Sequence, residues 1–220
     1  FYMERCSDAS TFGIKTNMPL VEHEIDVEKN AYSDSNCSVE IPNGSVVNNG
    51  NTFYYDLVVT NKGNTSMMNF TLEDTDTFNG SATLGYDKTA AVNPGTPNED
   101  GSVISLGNRG SYSYFVTDST GALVGTKTTC ASLDELSAAV ASITLYGGQS
   151  LHIRFLNATV NVAASKITSY TNTVKITATS GGTRLSDSAS HEIYAYNTND
   201  TTKTYVVDFG LPLKVAGIFD

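Results

Sequence analysis

The stretch that decides the fold is Thr52-Phe53-Tyr54-Tyr55-Asp56-Leu57-Val58-Val59-Thr60, which runs into Asn61-Lys62-Gly63-Asn64. Apolar and polar residues alternate with period two over part of the first run, a pattern typical of a strand with one buried face. The Asn and Gly residues of the second run are a strong turn signal. The sequence here therefore predicts a β-strand that ends in a tight turn.

Five further segments show strand patterns of the same kind. They are residues 25–29, 67–74, 111–116, 150–155 and 170–177. Many short strands with turn signals between them predict an all-β chain, folded as an immunoglobulin-like Greek-key β-sandwich.

One segment has helical spacing instead. Ser132-Leu133-Asp134-Glu135 fits a capping box at the start of a helix. The apolar residues that recur at helical spacing are Leu133, Leu136, Val140 and Ile143. We therefore expect one short helix over residues 133–141, inserted between two strands.

The predicted sandwich occupies residues 25–180, and the flanks differ from it in pattern. Residues 1–24 have no clear period and are interpreted as an N-terminal linker or the tail of a preceding unit. Residues 181–220 are interpreted as a linker plus an extra C-terminal strand at 204–215. That strand could add to the sheet, open a following domain or pair with a neighbouring subunit. Residues 78–110, rich in Asn, Gly, Pro and Asp, are expected to form a long excursion.

Composition narrows the class of protein. Charged residues make up 16% of the chain, against about 25% in a typical globular protein, and Ser, Thr, Asn and Gly replace them. The net charge is −10 with only 13 Lys and Arg, which do not cluster, so a nucleic-acid partner is excluded. No apolar run is long enough to span a membrane. We expect an extracellular, cell-surface location. We also expect a mature protein or a segment of a longer one, because the start has neither an initiator Met nor a signal-peptide pattern.

The three cysteines are Cys6, Cys37 and Cys130, and no pair has CxxC spacing. In an oxidising compartment one disulfide could form, and three pairings exist. We favour Cys6–Cys37, since it would staple the N-terminal segment to the domain. The alternative is three separate buried thiols.

The stretch from Asn48 to Asn64 resembles the tandem "conserved repeat" immunoglobulin-like sandwich domains of bacterial and archaeal surface proteins. In that family a Gly-x-Thr-aromatic-x-Tyr strand runs into a Thr-Asn-x-Gly turn, as Gly50 to Gly63 does here. Later motifs follow in the same order, and they are Asp74-Thr75, Gly148-Gln149-Ser150 and Tyr170-Thr171-Asn172-Thr173-Val174. The resemblance covers residues 25–180; the helix and the excursion depart from it.

Related fimbrial and adhesin sandwiches contain an intramolecular isopeptide bond, which the resemblance implies as an expectation here. In them a Lys on the first strand attacks an Asn on the last strand, assisted by a buried Asp or Glu. The Lys must be desolvated so that its amine is neutral, and the carboxyl must be protonated to polarise the Asn carbonyl.

Strand phase supplies three candidates for this bond. Each one lies in phase with the apolar residues of its own strand, and they are Lys29, Asp74 and Asn172. Asp56 is the runner-up acid. Two alternatives stay open, a buried network without a covalent bond and exposed positions at strand ends.

The sequence gives only weak signals for metal binding or catalysis. Acidic segments at 74–76, 98–100 and 197–200 could offer Ca²⁺ ligands, but none fits an EF-hand, and solvated loops are the better interpretation. The histidines His23, His152 and His191 lack metal-binding spacing, and His152 is expected on an exposed strand face. No nucleophile elbow or nucleotide-binding motif occurs. We therefore expect no enzyme, no cofactor and no metal site.

The resulting hypothesis is a cell-surface structural or adhesive module, such as a stalk domain or a pilus-like, filament-forming subunit. Its partners would be neighbouring copies or domains of the same surface protein, or a host or cell-surface ligand. One alternative is a ligand-binding adhesin with recognition loops at 78–110 and 118–130. Another is a carbohydrate-binding accessory domain of a secreted enzyme, against which the absence of Trp argues mildly.

Overall fold

The computed structural model describes residues 2–5, 12–15, 20–48, 50–78, 81–84, 112–159 and 167–196. Within these residues the chain forms thirteen strands and one helix, α1 (Leu133–Ala141). The strands are β1 (Tyr2–Arg5), β2 (Phe12–Lys15), β3 (Ile25–Tyr32), β4 (Glu40–Ile41), β5 (Ser45–Asn48), β6 (Thr52–Asn61), β7 (Met67–Phe78), β8 (Ser81–Leu84), β9 (Tyr112–Thr117), β10 (Leu123–Cys130), β11 (Ser150–Thr159), β12 (Ile167–Ser180) and β13 (Thr183–Tyr196).

Two sheets pack as a sandwich. One has six strands in the order β10-β9-β11-β6-β3-β4, and the other has five in the order β5-β13-β12-β7-β8. All neighbours are antiparallel except β5 and β13. The orders β9-β11-β6-β3 and β13-β12-β7 correspond to the D-E-B-A and G-F-C sheets of an immunoglobulin domain. The predicted β-sandwich with one short helix is confirmed; β1 and β2 form a separate hairpin.

The core lies between the inner faces of the two sheets. The decisive stretch, now β6, contributes Phe53, Tyr55 and Leu57, all at most 1% exposed. The Phe53 ring lies edge-on to Tyr55 at 5.3 Å and to Tyr170 of β12 at 6.4 Å between centroids. Each such side chain contributes about 1.5–3 kcal/mol through its burial, so the alternation in β6 is what holds the sheets face to face.

The predicted helix is confirmed at residues 133–141. The Ser132 hydroxyl accepts a hydrogen bond from the Glu135 amide at 3.1 Å, and the Glu135 carboxylate accepts one from the Ala131 amide at 2.7 Å. Leu136 and Val140 are buried and pack the helix against β7 and β9. The cap and the apolar face therefore act together to place α1 at one end of the sandwich.

The turn after β6 is organised by one buried amide. The Asn61 Nδ2 group donates to the carbonyls of Thr65 and Leu145, at 2.8 and 3.0 Å, and its Oδ1 accepts from the Gly63 amide at 3.1 Å. A Cβ atom at Gly63 would collide with the Glu22 carbonyl oxygen. The Asn-x-Gly pattern is thus required by hydrogen bonding and by close packing, not only by the turn itself.

The C-terminal boundary predicted at residue 180 does not match the structure. Residues 183–196, interpreted as a polar linker, form β13 and pair with β12 along its length. The segment is polar because alternate residues of β13 face water. The predicted strand at 204–215 lies outside the described residues.

The N-terminal flank and the predicted loops also contain structure that was not anticipated. Residues 1–24 include the β1–β2 hairpin, and the carbonyls of Glu22 and Glu24 accept hydrogen bonds from the turn after β6. Of the expected excursion, residues 81–84 form β8 and residues 85–110 lie outside the described residues. The expected recognition loop at 118–130 is instead the tight turn and second strand of the β9–β10 hairpin.

We expect Asn61→Ala to lower the free energy of unfolding by about 3 kcal/mol, because three backbone groups lose their partner in a buried turn. Urea denaturation followed by circular dichroism measures the change. The control Asn51→Ala, at an exposed position, should change stability by no more than about 0.5 kcal/mol. Equal stabilities for the two variants would contradict the role given to Asn61.

Candidate site for an internal cross-link

Lys29 lies in the core of the sandwich. Val27, Lys29 and Ala31 are the inward positions of β3, and Lys29 is 5% exposed. Its Nζ atom lies 4.3 Å from the centroid of the Tyr55 ring, a cation–π contact that is strengthened by desolvation. Since β3 continues to Tyr32, the alternative of an exposed strand end is wrong for Lys29.

Asn172 and Asp74 meet on the opposite sheet. Asn172 is 1% exposed within β12, and its Nδ2 donates to Asp74 Oδ1 at 2.7 Å. The contact is diagonal, because Asp74 is the register partner of Val174, two residues further along the strand. Asp74 is half-buried, and β7 extends to residue 78. Neither residue lies at an exposed strand end.

The structure therefore places all three predicted residues, called here the cross-link cluster (Lys29, Asp74 and Asn172), inside the sandwich. Lys29 belongs to the six-stranded sheet, while the other two belong to the five-stranded sheet. Burial of an ammonium group is costly unless neighbouring groups compensate its charge. The covalent bond itself stays a prediction.

His191 lies next to Asn172 and to Tyr55, whose ring contacts Lys29, and the sequence pattern gave it no role. It is the register partner of Asn172, is 3% exposed, and its ring centroid lies 5.9 Å from that of Tyr55. Its Nε2 donates to the Ile41 carbonyl at 2.9 Å. The period-two pair His191 and Ile193 was the available signal, but the segment had been interpreted as linker.

The neighbourhood of His191 favours the neutral imidazole. Burial has the largest effect and lowers the pKa of His191. The hydrogen bond to the Ile41 carbonyl raises this pKa, the Lys29 charge lowers it, and the Glu40 charge raises it. The net direction is downward from 6.5. Because a carbonyl only accepts hydrogen bonds, the proton of the neutral ring resides on Nε2.

Asp56, the runner-up acid, is on the wrong face of its strand. It lies between the inward residues Tyr55 and Leu57, so its side chain projects from the outer face of the sheet. There Arg154 Nε and Nη2 each donate to Asp56 Oδ2 at 3.1 Å. Asp56 is only 4% exposed because Arg154 and its neighbours cover it.

His152 lies on that same outer face. The sequence predicts an exposed side chain there, but neighbouring side chains cover most of it. Its ring stacks on Phe115 with centroids 4.6 Å apart and planes 2° from parallel. Its Nδ1 is 3.3 Å from Asp56 Oδ2, and 20% of its side chain is exposed. The Arg154 guanidinium lies 5.0 Å from the Phe115 ring. These four residues form a network on the outer face, and Arg154 Nη1 extends it by donating to the Asn36 carbonyl at 3.0 Å.

Two of the three cysteines, Cys37 and Cys130, lie among the described residues. Cys6 lies outside the described residues, so the Cys6–Cys37 disulfide stays a prediction. Cys37 and Cys130 are not bonded to each other. Burial raises the pKa of the Cys37 thiol to about 11, so this group is protonated at neutral pH and is a poor nucleophile.

The acidic segment at 74–76 lies inside β7 and is not a solvated loop as expected. The segments at 98–100 and 197–200 lie outside the described residues. Among the residues that are described, no three potential ligands are grouped around a metal position, and no helix has the length and hydrophobicity of a membrane span.

Comparisons with known proteins give distant structural similarity. No protein-family model and no curated protein matches the chain. A family 123 glycoside hydrolase from Clostridium perfringens, studied for glycolipid glycan hydrolysis, is 13% identical with a TM-score of 0.36, over 79% of this chain and 27% of that one. The CooA pilin subunit of enterotoxigenic Escherichia coli is 16% identical with a TM-score of 0.25, over 78% of this chain and 96% of the pilin. Because both TM-scores are low, neither similarity carries an argument about function.

We expect His191 to make the protein less stable as the pH falls below 6.5. The unfolded chain then binds a proton that the buried imidazole resists, so the free energy of unfolding decreases by up to about 1.4 kcal/mol per pH unit. The difference between wild type and His191→Gln, measured by urea denaturation from neutral pH downward, isolates this contribution. Both proteins are compared in the same covalent state, verified by intact mass. Parallel pH profiles would contradict the prediction.

Proposed function

We propose that this chain is an extracellular structural module of a microbial cell surface, a stalk domain or filament-forming subunit whose two sheets are joined by a Lys29–Asn172 isopeptide bond. One observation carries the proposal. An amine, a carboxyl and a carboxamide, on β3, β7 and β12, all project into one sandwich core. Such a polar set in an apolar interior is costly, and a covalent bond that removes the charge accounts for it.

The chemistry follows from the position of each group. Neutral Lys29 Nζ attacks Cγ of Asn172, the carboxamide C–N bond breaks, and ammonia leaves. Asp74 already contacts the carboxamide at 2.7 Å. A half-turn of that group presents Oδ1 to Asp74, whose protonated form donates to it and stabilises the developing oxyanion. Burial favours both the neutral amine and the neutral acid that this step requires.

The product would join β3 of the six-stranded sheet to β12 of the five-stranded sheet. β3 lies next to β6, and β12 lies between β7 and β13. Separating the sheets would then require breaking a covalent bond as well as exposing the core. The reaction occurs once and consumes its own Lys and Asn, so the chain would not be an enzyme.

The composition supports the surface setting. A net charge of −10 with few lysines and arginines disfavours nucleic acid. Partners in this proposal are neighbouring copies or domains of the same surface protein, or a cell-surface ligand.

We expect the purified protein to have an intact mass about 17 Da below the sequence mass, one ammonia, once any disulfide has been reduced. Proteolysis should release one branched fragment that contains both Lys29 and Asn172. The variants Lys29→Met, Asp74→Leu and Asn172→Leu should each show the full mass of their sequence. Mass spectrometry of intact and digested protein measures both effects.

A matched control is Lys175→Met, since Lys175 lies in β12 but is 49% exposed and is paired with Glu73. This variant should keep the mass deficit. A wild-type protein with full mass would overturn the covalent bond and leave a non-covalent buried network.

Stability distinguishes these two outcomes independently. We expect the triple variant with Lys29→Met, Asp74→Leu and Asn172→Leu to be less stable than wild type by about 4 kcal/mol, because a cross-link over a long loop restricts the unfolded chain. If the cluster is only a buried ionic network, apolar replacement should be neutral or stabilising. Urea denaturation of both proteins decides between the two.

A further inference from the structure

We propose that His191 accepts the proton that the Lys29 ammonium must lose before Nζ can attack Asn172. This inference rests on the proposed cross-link and adds a proton-transfer residue to it. Asp74 is suited to the opposite task, since it must be protonated to polarise the carboxamide. A second group has to act as the base, and His191 is placed for it.

The backbone puts His191 alongside Lys29. The Val27 amide of β3 donates to Asp187 Oδ2 of β13 at 2.8 Å. Four residues further along β3, Ala31 pairs with Ile41, whose carbonyl accepts the His191 Nε2 proton. β3 and β13 therefore run side by side in the same direction over this stretch. Lys29 lies between the two contacts, on the inward face that it shares with His191.

One aromatic ring contacts both basic groups. The Tyr55 centroid is 4.3 Å from Lys29 Nζ and 5.9 Å from the His191 ring centroid. On its other side His191 is the register partner of Asn172. The imidazole thus contacts the same ring as the amine that loses a proton, and it neighbours the carboxamide that loses ammonia.

The free nitrogen of the ring is the one that can act. Nε2 is committed to the Ile41 carbonyl, so the lone pair of the neutral imidazole is on Nδ1. Nδ1 is buried and has no hydrogen-bond partner among the described residues. A buried acceptor without a partner is costly. In this proposal the Nδ1 lone pair accepts a proton during the reaction.

The side chains that face His191 come from three strands. They are Lys29 of β3, Glu40 of β4 and Tyr55 of β6. Burial lowers the pKa of His191 below 6.5, and the Lys29 charge lowers it too, against the opposing effects of the Ile41 carbonyl and Glu40. The imidazole is therefore neutral, and competent to take a proton, at neutral pH.

The proton balance closes within the cluster. Nδ1 takes one proton from the Lys29 ammonium, and the neutral amine adds to Cγ of Asn172. As the C–N bond breaks, the departing NH2 group receives two protons, one from the imidazolium and one from the nitrogen that has added to Cγ. It leaves as ammonium with the charge that Lys29 carried, and His191 returns to its neutral form.

The test measures the rate of cross-linking. Wild type and His191→Gln are recovered in denaturant, verified at full mass, and refolded by dilution, and the loss of about 17 Da is followed in time. Glutamine keeps a donor for the Ile41 carbonyl but cannot accept a proton. We expect the rate to fall by about 100-fold or more in the variant, while the control His23→Gln, whose ring bonds Ser180 and Thr65 at one end of the sandwich, reacts like wild type.

The pH profile separates a proton-transfer role from a packing role. In wild type the rate should fall as the pH drops through the pKa of His191, and His191→Gln should lack this acid limb. Circular dichroism verifies that the variant refolds. If it does not, the wild-type profile still decides, since a rate that stays flat as the pH is lowered from neutral over the whole range in which the protein refolds overturns the proposal. An unchanged rate and profile in His191→Gln overturns it too but leaves the cross-link intact. Only a wild type that never loses mass overturns the cross-link itself.

Discussion

The buried ammonium group of Lys29 is the constraint on which the candidate site depends. An ion inside a sandwich core must be compensated by its neighbours. The Tyr55 ring lies against the ammonium, and the Asp74–Asn172 pair belongs to the opposite sheet. An isopeptide bond would remove the charge permanently, which makes the cluster understandable as the starting state of a reaction.

β-Pleating keeps two polar clusters of the six-stranded sheet apart. Adjacent residues of β6, Tyr55 and Asp56, point to opposite faces. Tyr55 contacts Lys29 in the core, whereas Asp56 is neutralised by Arg154 on the outer face. The two charges are close along the sheet but chemically separate, so the acid nearest to Lys29 in register is not the acid available to it.

The five-stranded sheet supplies the remaining geometry through hydrogen-bond register. β12 is bonded on both sides, to β7 and to β13. This double pairing sets Asn172 beside His191 and diagonally from Asp74. Because the register extends along whole strands, the positions of these side chains are determined by many backbone bonds at once. A reaction that needs three groups aligned benefits from such a rigid framework.

Sequence alone determined the elements whose pattern is local. Alternation predicted β3, β6, β7 and β12 and the inward phase of the cross-link cluster, and a capping box predicted α1, because periodicity and capping are properties of neighbouring residues. Tertiary structure decided the rest. β13 was missed because inward Asp187 and His191 dilute its apolar pattern, and they are tolerated there only through contacts with β3 and β4. The opening stretch 52–64 thus predicts a strand of a sandwich, but which polar side chains become neighbours inside it depends on pairings between distant strands, and no local pattern encodes them.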